Sequence, residues 1–190
     1  DHPRHQHQDR EGAAGVGDLY LGEPLLEPLL SAAEETGAVV FIHPTTRGFD
    51  RSVLNDYYLW NTVGNPLETA ITASHIVMAG VMERHPNLKV ILAHGGGALM
   101  MVRGRLAHSH TFQPQAQSKL KENPLDSLRR FYYDTLTHDA DLLKSLIDFV
   151  GVDHILVGSD YPFDMGDDHP ANIVHALDLD QADKDKILCG

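Results

Sequence analysis

Four short apolar runs, three of them closing on histidine or aspartate, punctuate this chain: AVVFIH at 38–43, KVILAH at 89–94, FYYDT at 131–135 and HILVGSD at 154–160. They are too short for helices and rich in β-branched and aromatic residues, so they predict buried strands. Val90–Ala93 is apolar throughout, the pattern of a parallel strand covered on both faces. Between the runs the apolar positions change to a helical period. Leu25, Leu26, Leu29, Leu30 and Ala33 predict a helix that begins near Glu27 and stops at Gly37. Leu67, Ile71, Ser74, Met78 and Val81 predict one face of a long helix. Asn65 is its expected N-cap, Pro66 its first-turn proline and Glu68 its capping-box residue, and His85-Pro86 ends it. Leu99, Val102 and Leu106 predict a helix over 97–108, and 125–130 a short one. Leu142, Leu143, Leu146 and Phe149 predict another, capped by Asp139 and stopped by Gly151. Two short helices, Pro170–Leu177 and Gln181–Leu188, follow the last strand.

Strands that alternate with helices pair in parallel through right-handed crossovers. Four such units make half of a (β/α)₈ barrel or a small open sheet. The 190 residues suffice for one domain. Asp1–Gly22 is polar and aperiodic, so it reads as a poorly structured segment with at most a short strand near Gly15–Leu21, and the domain proper runs from Glu23 to Gly190. The long aromatic connection Pro44–Trp60 is of the kind that carries function.

The chemistry lies where the strands stop. His43 is followed by proline, His94 by three glycines and Asp160 by Tyr161-Pro162. Histidine and aspartate bind divalent metals or move protons. Ends of parallel strands on one barrel rim converge, so residues far apart in sequence can share a ligand. Asp134 also ends a strand but leads into an ordinary helix start and reads as structural. The formal charge of −12 argues against a nucleic-acid partner. No apolar run reaches the length of a membrane span and no signal peptide opens the sequence, which argues against a membrane partner. One cysteine, Cys189, fits a reducing, cytoplasmic setting. His5-Gln6-His7 has the spacing of a metal-binding pair, but its polar context reads as a solvated tail. His75, His85, His108, His110, His138, His154, His169 and His175 read as surface or structural.

Several stretches resemble the amidohydrolase-related family: HP at 43–44, GNPLETAI at 64–71, ERHPNLKVILAHGGG at 83–97, RGRLAH at 103–108, FYYDTLTHD at 131–139 and GSDYPF at 158–163. The resemblance covers Glu23–Gly190. It implies an α/β fold, the partial (β/α)₈ TIM barrel of a metal-dependent hydrolase with its first strands missing. It implies one divalent metal, usually zinc, with His43 and Asp160 as two ligands and His94 as the catalytic base beside it. It implies that Arg105 holds a substrate carboxylate in a neighbouring subunit, hence a homodimer when full length. The activity implied is non-oxidative decarboxylation of a small unsaturated or aromatic carboxylate. Hydrolysis at the same kind of centre, or an inactive fragment, are the alternatives. In the family an opening strand carries a further His-x-His ligand pair, and no matching segment is present. An aromatic residue that family decarboxylases place soon after the HP is replaced by Thr45-Thr46-Arg47, and Arg47 is a candidate cation for a substrate carboxylate.

Overall fold

The computed structural model describes residues 19–44 and 52–189. Helix α1 (Glu27–Thr36) leads to β1 (Val39–Ile42), and α2 (Asn65–Met78) and α3 (Val81–Arg84) to β2 (Lys89–Leu92). Then come α4 (Leu99–Phe112), α5 (Pro124–Leu128) and β3 (Tyr132–Asp134), and after them α6 (Ala140–Val150), β4 (Ile155–Leu156), α7 (Ala171–Ala176) and α8 (Gln181–Cys189). The strands form one sheet in the order β1-β2-β3-β4, and every pairing is parallel. This is the succession of βα units of a (β/α)₈ barrel, and the described residues supply four of its strands.

In register, Ile42 pairs with Leu92, Leu92 with Tyr133 and Tyr133 with Ile155. All four are buried, and with Leu99, Leu128, Leu143 and Leu146 they form the core under the helices. The opposite face is open. Val39 and Phe41 are 51% and 57% exposed, and Ile91 is half-buried. The expectation of a strand covered on both faces therefore fails: helices cover one side, and nothing among the described residues fills the other.

Two helices depart from their sequence pattern. The chain already turns helically before α2, through a π-helical turn at Trp60–Gly64, so Asn65 is not a cap and makes no capping bond. Glu68 is fully buried and has no hydrogen-bond partner, so no capping box forms. The face of α2 that is buried carries Asn65, Glu68, Thr69, Thr72, Ala73, Ile76 and Val77. Leu67, Ile71 and Ser74 instead line a groove of about 810 Å³ against α4. The misassignment has a simple cause: α2 carries apolar residues on most of its circumference, so its period does not choose a side. Gly80, at φ 71°, breaks the predicted single helix into α2 and α3. In α1 only Leu30 and Ala33 are buried, while Leu29, and Leu25 in the turn before the helix, are exposed.

Away from the strand ends that carry His43, His94 and Asp160, an ion cluster ties α1 to the turn before β2. His85 is buried between Glu34 (Nδ1–Oε2 2.9 Å) and Glu27 (Nε2–Oε1 3.0 Å). Arg84 donates to both oxygens of Glu27, and the Asn87 amide donates to Glu34. With a carboxylate on each ring nitrogen, both nitrogens act as donors, which is the imidazolium form.

Candidate metal centre

Each strand delivers its terminal residue to the same rim. His43 follows β1, His94 lies two residues past β2, and Asp160 lies four past β4. His43 Nε2 lies 2.9 Å from Asp160 Oδ1, and His94 Nε2 lies 3.7 Å from Asp160 Oδ2. The two imidazole centroids are 5.0 Å apart. Phe163 stacks on His43 at 5.3 Å and 15°.

The backbone is forced to make this convergence. His94 and Asp160 have φ of 58° and 54°. This left-handed region costs a residue with a Cβ about 1–2 kcal/mol, so something must hold each residue there. At His94 the holder is Asp134. Its carboxylate accepts from the backbone N–H of His94 (3.0 Å), Gly95 (2.8 Å) and Leu136 (3.1 Å). Asp134 is 8% exposed. Its structural reading thus gains content: it clamps the His94 turn to the end of β3. Gly97 completes the turn at φ 60°, where an added Cβ would overlap the Pro66 carbonyl at the start of α2.

Burial pushes the His94 imidazole below its ordinary pKa, and the neighbouring His43 adds to this, while Asp134 and Asp160 pull upward. His94 is accordingly neutral near pH 7 and can accept a proton. Burial likewise raises the Asp134 carboxyl, against the backbone N–H donors and His94.

A divalent cation fits this set. One ligand atom from each of His43, His94 and Asp160 lies within 4.8 Å of the others. His43 and Asp160 offer an imidazole nitrogen and a carboxylate oxygen of the kind that zinc and similar ions take, with the His94 imidazole beside them. His94 Nδ1 is buried without a partner, so the centre's polar valences are not closed by protein alone.

Two concavities meet at Asp160. One, of about 220 Å³, is lined by His94, Asp160, Asn61, Asn65, Leu136 and His138, among others. The other, of about 360 Å³, opens on the bare sheet face between Phe41, His43, Ile91 and Phe163. Arg105 lines neither; it lies on α4 in the groove against α2. Arg47, His5 and His7 lie outside the described residues. His138, read from the sequence as surface or structural, is exposed and lines the first of these concavities.

Known proteins resemble this chain in sequence and in fold. The chain is 35% identical over 180 residues to 2-amino-3-carboxymuconate-6-semialdehyde decarboxylase of Dictyostelium discoideum, covering 93% of this chain and 50% of that one. It is 33% identical over 149 residues to 6-methylsalicylic acid decarboxylase of Penicillium expansum, covering 78% and 46%. Among solved structures, 5-carboxyvanillate decarboxylase from Sphingomonas paucimobilis matches with a TM-score of 0.79 at 25% identity, over 91% of this chain and 53% of that one. The 2,6-dihydroxybenzoate decarboxylase from Rhizobium matches with a TM-score of 0.77 at 26% identity, over 93% and 57%. The chain thus spans about half the length of the relatives it matches. The Amidohydrolase family model matches residues 4–190. With that match over nearly the whole chain and the His–His–Asp cluster at the ends of parallel strands, this protein belongs to the amidohydrolase family.

Proposed function

We propose that the protein this chain represents is a metal-dependent, non-oxidative decarboxylase of small aromatic or unsaturated carboxylates. The observation that carries the reading is the approach of His43, His94 and Asp160 to within 4.8 Å of one another at the strand ends. The names of the relatives, decarboxylases of single-ring or muconate-type acids, support the substrate class.

In this reading His43 and Asp160 hold the metal, and zinc is the ion we assign. A bound divalent metal supplies Lewis acidity and lowers the pKa of coordinated water toward neutrality. The remaining work falls to side chains. His94, kept neutral by burial, exchanges a proton with the substrate through Nε2, the nitrogen that faces Asp160. His94, once it has taken up a proton from solvent at Nε2, delivers it to the carbon that bears the carboxylate and returns to neutral; the carbon–carboxylate bond then breaks, its electrons stay on the ring and CO₂ leaves. The charge balances without an oxidant or an organic cofactor. Leu136, Leu142, Pro66 and Met165 line the smaller cavity and would exclude water from the ring. Arg47 is assigned to a substrate carboxylate. Arg105, in its groove away from the cavity, is assigned to a carboxylate in the other subunit of a homodimer.

The test is CO₂ release by the full-length protein from 2,6-dihydroxybenzoate, 6-methylsalicylate and carboxymuconate semialdehydes, before and after chelation. The expected result is metal-dependent CO₂ release, lost in His94→Ala with bound metal retained. Hydrolysis of esters or amides without CO₂ release from any acid would refute the reading.

A further inference from the structure

The cavity beside His94 and Asp160 is lined by a second histidine, His138, which is exposed and which the mechanism above does not use. His138 lines it from the loop between β3 and α6, beside Thr137 and opposite Asn61 and Asn65. Apart from His94, no other described side chain that lines this cavity can carry a positive charge. Arg105, on α4, opens on a separate groove.

The backbone singles out the same residue. His138 has φ 53°, in the left-handed region that a Cβ disfavours. Among the described non-glycine residues the others at positive φ are Tyr57, Tyr58, His94 and Asp160. His94 and Asp160 line this cavity, and Tyr57-Tyr58 lead into the turn that brings Asn61 to it. Strained backbone gathers where the surroundings hold side chains in working positions. The loop is tied on both sides of His138. Leu136 N–H donates to Asp134 at 3.1 Å, and Thr137 Oγ1 donates to the Asp139 carbonyl at 2.8 Å. The Asp139 carboxylate is committed to the N-terminus of α6, where it accepts from Leu142 N–H at 2.9 Å. His138 therefore stands, exposed, on the wall of a cavity that Leu136, Leu142 and Met165 also line together with Asp160, and its nearest acidic neighbour in sequence is already engaged.

We infer that His138 is a substrate-binding residue that donates a hydrogen bond to an oxygen of an anionic single-ring ligand and so selects carboxylates over neutral compounds of the same shape. The identity of the ligand rests on the decarboxylase reading; the selectivity of the cavity does not. Leu136, Leu142 and Met165 take the ring, His94 the reacting end and His138 the charged oxygen.

The experiment measures binding of 2,6-dihydroxybenzoate and of its neutral carboxamide to the full-length protein by calorimetry, in wild type, His138→Gly and His138→Asn. Glycine and asparagine tolerate the left-handed backbone, so both variants keep the loop, and unchanged melting temperature and metal content check this. Loss of a hydrogen bond to a charged group predicts that His138→Gly binds the carboxylate about ten- to a hundred-fold more weakly. Carboxamide affinity stays within about twofold, and His138→Asn, which keeps a donor, recovers part of the loss. Carboxylate affinity in His138→Gly within about twofold of wild type would overturn the inference. So would equal wild-type affinity for the two probes. A carboxylate preference that disappears in His138→Gly while the protein releases no CO₂ would support the inference and remove the decarboxylase reading.

Discussion

Replacing Asp134 by alanine tests whether one buried carboxylate holds the His94 turn in place. Three backbone N–H groups end on it, from His94, Gly95 and Leu136, at 3.0, 2.8 and 3.1 Å. A hydrogen bond to a charged group contributes about 1.5–3 kcal/mol net, so the three set an upper range of roughly 5–9 kcal/mol. The variant recovers part of this, because the carboxylate is no longer desolvated and water from the adjoining cavities reaches some of the freed donors. A loss of about 3–5 kcal/mol remains, a large share of the roughly 5–15 kcal/mol that stabilises a typical domain. Asp134→Asn separates charge from shape. It keeps one acceptor oxygen but turns an NH₂ toward one of the donors, and should cost about 1–3 kcal/mol. The assay is urea unfolding, with the Gly95 and Leu136 amide resonances followed in parallel. Both amides should shift on substitution, and affinity for a divalent metal should fall along with stability, because His94 is then free to leave φ 58°. If Asp134→Ala unfolds within about 0.5 kcal/mol of wild type, an ordinary surface effect, or leaves those amides unmoved, the clamp does not exist.

Gly97→Ala should cost about 2–4 kcal/mol, since it adds left-handed strain to a Cβ that overlaps the Pro66 carbonyl; melting of the variant checks this, and an unchanged melting temperature refutes it. The Glu27–Arg84–His85–Glu34 cluster sets a pH window. Arg84, then His85, holds the Glu27 carboxyl down to about 2 from its ordinary 4.5, while its partial burial opposes them. That stability is complete above 4.5 and is lost as pH falls toward 2. Burial opposes charging of His85, but Glu34 and Glu27 together raise it above its ordinary 6.5. That contribution is complete below 6.5 and is lost as pH rises through the raised value. Urea midpoints should therefore show a cluster-dependent maximum between about pH 4.5 and 6.5, flattened on the alkaline side in His85→Gln; an unaltered profile in the variant would falsify the assignment. Residues 1–190 expressed alone should self-associate through the β1 edge and the bare face at Val39 and Phe41, and a sharp monomer peak in size-exclusion chromatography would sink that expectation.

The sequence announced the fold because its strands are short apolar runs bounded by turn residues, and the order of strand and helix leaves few topologies. The convergence of His43, His94 and Asp160 was legible for the same reason: parallel strands put their carboxyl ends on one rim. What was not legible depended on phase and on backbone. The buried side of α2 could not be chosen, because Leu67 and Ile71 compete with Ile76 and Val77 for the core and the polar Glu68 and Thr72 are the ones that lie inside. Asn65 looked like a cap because nothing in the preceding residues signals the π-helical turn that extends the helix. Asp134 looked like any strand-end aspartate, since its three partners are backbone amides and leave no trace in side-chain type.

The parallel register has a consequence for when the centre comes into being. His43 and Asp160 meet across 117 positions of sequence, and each is placed only when the strand before it has docked in order. Such contacts close late, because a long stretch of chain must lose its freedom before they form. No peptide taken from one βα unit can reproduce the centre, and of His43, His94 and Asp160 an intermediate lacking β4 holds at most the two histidines. Capture of a metal ion during refolding would thus time the docking of the last strand, and stopped-flow metal uptake should lag the recovery of helical ellipticity.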